Sequence, residues 1–399
     1  MRAIGSKASP ARLSALWFGI QLVWGAILGI ALQARCAELA GAASIGAYGA
    51  ISFGGALAAA VVQLVVGPWS DRARRRGGTR APFYAVGSAC GALAVVAFFL
   101  VANIVWLAAA FVALQIALNI AIGPYQAILP DAVEDERRGV ASGAMAAMQS
   151  GGNACGAILA SVLGGPLLGA TLAVFLLGGA GLTLAHLRGI ALRPVPPREP
   201  FAFSRTLVDL FLSRALLFLG FYTLLGYLYF YVRELEPFGT QVPPTTASGI
   251  CILLFTLAGA LGAFLAARPA DRFDERVVVT LGGLVVALSV AALALLHVSL
   301  ALPPVILVAG IGWGVFVCAD WAYACRLLPR ATLATTMALW NLAIVLPQML
   351  APLLTTLALA RVHALASPSA PSIAFALSAL EILIGTAWIW RLPGRVVGK

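Results

Sequence analysis

From Ala56 to Leu100 the chain reads ALAAAVVQLVVGPWSDRARRRGGTRAPFYAVGSACGALAVVAFFL. An apolar run ends at Gly67, a loop with five arginines and one aspartate follows, and a second apolar run begins at Pro82. A helix of about 20 apolar residues crosses the ~30 Å hydrocarbon layer of a bilayer. Backbone in hydrocarbon must satisfy its own hydrogen bonds, and these runs are too long and too uniformly apolar for barrel strands, so each is predicted to be a helix.

Outward from this stretch the same pattern repeats, with apolar windows at about 13–33, 43–66, 82–101, 104–128, 139–162, 167–187, 207–231, 246–267, 276–297, 303–326, 332–358 and 372–391. The expected fold is an all-α membrane protein with twelve transmembrane helices. Composition points the same way: 399 residues that are 61% hydrophobic and 10% charged, with mean hydropathy +0.97. A soluble domain carries about 25% charged residues, so the solvent here is lipid. Arg2, Lys7 and Arg12 ahead of the first run look like the start of a signal peptide. The run from Leu13 to about Gln33 is longer than a usual signal core, so it is read as a retained first span.

The formal charge of +11 does not imply a nucleic-acid partner, because the basic residues sit in short loops between apolar runs. Twenty-two of the 26 fall in the tails and the connections after even-numbered spans, against three (Arg35, Arg233, Arg361) on the other face and Arg214 inside span 7. The positive-inside rule then places both termini in the cytoplasm, and the protein is expected to be a multi-pass chain of a bacterial-type cytoplasmic (inner) membrane. The longest cytoplasmic connection, RGIALRPVPPREPFAFSRT at 188–206, divides the spans six and six. The expected organisation is an N-terminal bundle at 1–190, a linker at 191–206 and a C-terminal bundle at 207–399. A weak repeat supports it: Asp71-Arg72 returns as Asp271-Arg272, and Leu129-Pro130 as Leu328-Pro329, at offsets of 200 and 199.

Six scattered cysteines, none in a CxxC pair, give neither a disulfide framework nor a metal site. His186, His297 and His363 lie at span ends or in loops, and no phosphate loop or metal-ligand spacing is present. No enzyme, metal or cofactor is expected.

The loop at 67–83 places Gly67, Ser70, Asp71, Arg72, Arg76, Gly78, Arg80, Pro82 and Phe83 on one pattern. It resembles the loop signature of the major facilitator superfamily, and more closely the version in sucrose-type and glycoside-pentoside-hexuronide:cation symporters. Arg74, Thr79 and Ala81 depart from it. Gly67 is expected to permit close helix approach, and Asp71 either to accept hydrogen bonds from a helix N-terminus or to pair with an arginine across a cytoplasmic gate. The bland alternative is that the arginines only set topology.

A second stretch, PYQAILPDAVEDERRGVASGAMAAMQSGGN at 124–153, resembles the junction of the fourth and fifth spans in the same families. Asp131 is expected to bridge to Arg72 or Arg138, and Gly151, Gly152 and Gly156 to allow tight packing. A third stretch, GIGWGVFVCADWAYACRLLPR at 310–330, resembles their tenth span.

The resemblance implies two bundles in which spans 1, 4, 7 and 10 line a central cavity. On those spans Gln21, Trp24, Gln115, Asn119, Gln126, Tyr222, Tyr227, Trp313, Trp321 and Tyr323 are the candidate solute contacts. Amides match hydroxyls, and aromatic faces cover C–H surfaces. For any single aromatic, ordinary packing is the stronger reading. Asp320 lies in span 10 and Arg214 at comparable depth in span 7, so they can pair, as a structural bridge or as a coupling site. Glu381 lies near the centre of span 12, where no motif covers it, and is a third coupling candidate.

The expected function is secondary active transport of a small polar solute, a sugar or glycoside by resemblance, coupled to protons or else to sodium. The protein is expected to work as a monomer among membrane lipids. The alternatives are a drug or metabolite exporter of the same fold and a non-transporting scaffold.

Overall fold

The computed structural model describes residues 9–125, 127–133, 138–192, 204–296, 301–327, 333–362, 365, 367 and 369–394. Every regular element among them is helical: α1 Pro10–Leu13, α2 Ala15–Ala26, α3 Leu32–Ala40, α4 Ser44–Arg75, α5 Ala81–Leu100, α6 Ile104–Tyr125, α7 Ile128–Ala132, α8 Arg138–Val162, α9 Gly165–Arg188, α10 Arg205–Leu235, α11 Pro244–Arg272, α12 Glu275–Leu296, α13 Leu302–Leu327, α14 Leu333–Arg361 and α15 Ala370–Trp388. A π turn at Ile27–Ala31 joins α2 to α3, and 3₁₀ turns cover Gly41–Ala43 and Ile389–Arg391.

Ten helical runs among the described residues are long and apolar enough to cross a membrane. Leu64, Leu93, Phe264 and Leu295 are 74–79% exposed on their surfaces, which a lipid solvent accommodates and water does not. The first run, Ala15–Arg75, is 61 residues long. It turns back at Gly41, whose φ of 53° a side chain would resist, and α3 packs against α4. Helix α8, whose side chains are described only in part, is not among the ten.

The chain divides into two compact units, Met1–Pro197 and Arg198–Lys399. In the first, the principal packed pairs are α2 with α8, α2 with α9, α4 with α6, α5 with α6 and α5 with α9. In the second they are α10 with α14, α10 with α15, α11 with α13, α12 with α13 and α12 with α15. Taken in chain order the two sets match pair for pair, so each half is the same packing solution.

Small residues set these contacts. A Cβ on Gly156 of α8 would lie 2.1 Å from the Leu22 carbonyl oxygen of α2, and one on Gly314 of α13 would lie 1.9 Å from that of Gly259 in α11. Without a hydrophobic drive between helices in lipid, such close backbone approach is what holds a bundle together.

Gly67 does not act this way. Among the described residues a Cβ there would meet nothing within 4 Å, so they do not show the expected close helix approach. Gly67 precedes Pro68, which lies inside α4, and a Cβ before a helical proline clashes with the pyrrolidine ring. Its carbonyl also accepts the Ser70 hydroxyl at 2.9 Å.

Candidate functional site

In the first unit the charged cluster forms where α4 ends and α5 begins. Helix α4 runs to Arg75, and Arg72, Arg74 and Arg75 in its last turn suit the negative end of its dipole. Asp71 in the same turn does not suit it, and needs a cation. Arg80, the residue before α5, supplies one: its Nη1 lies 2.8 Å from Asp71 Oδ1 and donates to Ser70 Oγ at 2.7 Å, and its Nε donates to Asp131 Oδ2 at 2.9 Å. Arg74 Nε reaches the same Asp131 oxygen at 3.4 Å and Nη1 reaches the Gly78 carbonyl at 3.3 Å.

Arg80, Asp131 and Ser70 are buried. Burial disfavours the charged guanidinium, but the carboxylates of Asp131 and Asp71 outweigh it and hold Arg80 above its ordinary value. The single guanidinium thereby fastens α4, α5 and α7 at one point, and the expectation of an Asp71 partner across a gate is corrected to Arg80 of the same unit. Tyr84 of α5 adds a hydroxyl donated to the Pro124 carbonyl of α6 at 3.2 Å.

The expected bridge from Asp131 to Arg72 is corrected by this geometry. Successive helical residues point about 100° apart, so Arg72 turns away from the face that carries Asp71 and is exposed, as is Arg76. Arg74, three residues on from Asp71, stays on the inner face. Arg74 was read only as a departure from the signature, and its spacing was the signal that could have found it. The side chains of Arg138, Asp271 and Arg272, and the whole of Gln126, lie outside the described residues.

The polar candidates of the first unit gather into two amide groups. Asn119 of α6 donates to its own helix neighbour Gln115 at 3.2 Å and accepts from Gln63 of α4 at 2.6 Å. Gln21 of α2 accepts from Asn153 of α8 at 3.1 Å, with Trp24 buried one turn further along α2. Gln63 escaped the sequence reading because span 2 was not counted among the cavity spans. Trp17 stacks on Tyr125 at 5.6 Å and donates to Gln149 at 3.2 Å.

In the second unit Arg214 of α10 and Asp320 of α13 form an ion pair, 3% and 1% exposed. The Arg214 guanidinium also lies 4.8 Å from the Phe218 ring centre. Above it stands an aromatic group: Trp313 stacks on Phe221 at 4.4 Å, with Phe218 and Phe316 each at 5.1 Å from Trp313. Tyr222 belongs to the same group, 5.2 Å from Phe221.

The remaining second-unit candidates are spread out. Tyr227 is fully buried with its hydroxyl 2.9 Å from that of Thr356, Tyr323 is fully buried and donates to the Pro393 carbonyl at 2.9 Å, and Trp321 is exposed. Tyr227 thus links α10 to α14, and Tyr323 links α13 to the chain just beyond α15.

Glu381 of α15 lies on the face packed against α10. Its carboxylate accepts the Thr223 hydroxyl at 2.9 Å, and Thr223 lies 3.3 Å from the Thr355 hydroxyl of α14. Either side of Glu381, Ser378 donates to the Gly220 carbonyl at 2.7 Å and Ser213 to the Gly385 carbonyl at 2.8 Å.

An all-helical membrane chain of two like-packed units with ion pairs at and within its spans is the architecture of a polytopic transporter. The family model of the Major Facilitator Superfamily matches residues 13–352, and the chain belongs to that superfamily. Its fold is similar to that of a bacterial homologue of the human lysosomal transporter Spinster, at 15% identity and TM-score 0.72 over 96% of this chain and 97% of that one. It is also similar to the nucleoside transporter NupG, at 12% identity and TM-score 0.70 over 96% and 99% of the two chains. A third likeness is to a peptide transporter, POT, at 13% identity and TM-score 0.71 over 95% and 93%. No curated protein matches the chain.

Proposed function

We propose that the chain is a secondary active transporter that moves a small polar solute by alternating access, driven by protons. The observation that carries this reading is the Arg214–Asp320 pair, buried within two candidate spans of a superfamily member. Charges at that depth are costly and rare, and are kept where a polar path crosses the membrane.

The reading takes twelve crossings, with the Ala15–Arg75 run counted as two and α8 added. A straight helix of 61 residues would measure about 90 Å, three times a bilayer core. Both tails are then cytoplasmic by the distribution of arginines. Residues 1–190 and 207–399 act as two bundles joined by the linker 191–206, and the Arg80 cluster with Asp71 and Asp131 braces one end of the first bundle. A monomer in the inner membrane suffices for this cycle.

For the solute, the amides of Gln21, Gln115 and Asn119 favour a hydroxylated compound such as a sugar or glycoside. The aromatic group of Phe218, Phe221, Tyr222, Trp313 and Phe316 favours a second reading, export of a compound with an apolar ring. Purified protein in proteoliposomes, given pH gradients of each sign and candidate sugars, nucleosides, organic acids and drugs, separates the two. Gradient-driven flux of a sugar supports the first, efflux of apolar ring compounds supports the second, and no flux of any solute overturns both.

A further inference from the structure

The two units share one packing register. In the first, a Cβ on Gly19 of α2 would meet Leu176 of α9 at 3.0 Å, and one on Gly179 of α9 would meet Ala15 and Leu16. In the second, a Cβ on Gly220 of α10 would meet Ile382 of α15 at 2.5 Å, and one on Gly385 of α15 would meet Leu216 and Leu217. Gly19 thus corresponds to Gly220, and Gly179 to Gly385. In this register Glu381 stands where the first unit has Phe175, and Thr223 where it has Leu22. The same helix pair therefore packs without a carboxyl or a hydroxyl, and packing alone does not account for Glu381.

The surroundings of Glu381 differ from those of Asp320. Asp320 has the Arg214 guanidinium against it. Among the described residues, the hydrogen-bond partner of Glu381 is the neutral Thr223 hydroxyl. Helix α12 has no titratable side chain from Val277 to Leu296, α14 has only Arg361 at its end, and α15 has no other. On α10, Tyr222 and Tyr227 are phenols, and the nearest charge is Arg214, nine residues and about 14 Å along the axis from Thr223.

The hydroxyl line also serves both charge states. With Glu381 ionised, Thr355 donates to Thr223 and Thr223 to the carboxylate. When a proton from water adds to Glu381 Oε2, the carboxyl becomes the donor and the hydroxyls of Thr223 and Thr355 turn round, so no hydrogen bond of the line is lost. Thr223 and Thr355 are 0% and 1% exposed, while Glu381 itself is part-exposed.

From this juxtaposition we infer that Glu381, held by Thr223 and Thr355 between α10, α14 and α15, is the proton-binding site of the carrier, with Asp320 the fixed partner of Arg214. The inference rests on the transporter reading for its role in coupling, and on the geometry alone for the site.

Infrared difference spectra of wild type against E381Q test the site without transport. The expected result is a protonated-carboxyl band at neutral pH, absent from E381Q, which fades as the pH is raised and shifts to higher frequency in T223V. Only carboxylate bands at every pH, or a band unchanged by pH, would overturn it. In proteoliposomes, accumulation driven by a pH gradient is expected to be lost in E381Q while solute exchange persists, and full accumulation by E381Q would overturn the coupling role. Absence of flux in the wild type would instead overturn the transporter reading, with the infrared titration still deciding the site.

Discussion

Arg214 and Asp320 are joined at the place in the second unit where the first unit joins Leu13 and Tyr125. Gly87 of α5 meets Ala117 and Ala121 of α6, and Gly282 of α12 meets Gly312 and Phe316 of α13. Tyr125, four residues beyond Ala121, is therefore the counterpart of Asp320, four beyond Phe316. Leu13 precedes Gly19 by the same six residues that separate Arg214 from Gly220. One half of the molecule closes this junction with a phenol donating to a backbone carbonyl, and the other with two full charges.

Breaking that pair from one side leaves a charge without its partner. R214Q and D320N are each expected to cost about 3–5 kcal/mol of stability, and the double variant less than the sum of the two. Thermal unfolding of the four proteins in detergent measures this. Additive losses would show that the two groups do not depend on each other.

The Arg80 cluster predicts a split among the loop arginines. R80K is expected to fail as R80A does, because one ammonium cannot reproduce the planar fork that meets Asp71, Asp131 and Ser70 together. R72A and R76A, at exposed side chains, are expected to stay within about 0.5 kcal/mol of wild type. Stability and transport rate are compared for all four.

Two adjacent glycines of α9 give a test of backbone contact. Gly179→Ala puts a methyl 2.5 Å from the Ala15 carbonyl oxygen, and is expected to destabilise by about 1–3 kcal/mol. Gly178→Ala meets nothing within 4 Å and is expected to be neutral or slightly stabilising. Equal effects of the two would count against the packed α2–α9 contact.

For the amide group, Gln115→Ala and Asn119→Ala are expected to raise the solute KM by about tenfold if each gives one hydrogen bond to a hydroxylated solute. Gln63→Ala should act through the orientation of Asn119 and move KM less. Initial-rate uptake by the three variants reads this, and an unchanged KM in all of them would take the solute away from this group.

The membrane class was legible in composition alone, because lipid leaves a long apolar run as its mark on each crossing. The family showed in the loop at 67–83, but the partner of Asp71 did not: it is Arg80 of the same loop and not an arginine across a gate. The partner of Asp131 was not legible, since it depends on where α4 stops being helical and on Arg80 folding back beneath it. A glycine before a proline and a glycine against a neighbouring helix look alike in one dimension, so the sequence does not tell which Gly67 is. Arg214 and Asp320 could be matched by depth, but Glu381 could not be matched to Thr223: a threonine in a span carries no pattern of its own, and only the packing of α10 on α15 shows what it faces.

The ion pair has an electrical consequence. An arginine and an aspartate that move together carry no net charge, so voltage across the membrane does no work on them. One unbalanced elementary charge moved through the full field gains or loses about 2.3 kcal/mol per 100 mV. A dependence of transport on membrane potential would therefore have to come from other charges, such as that of the solute or of the Glu381 site proposed above, with the Arg214–Asp320 pair silent.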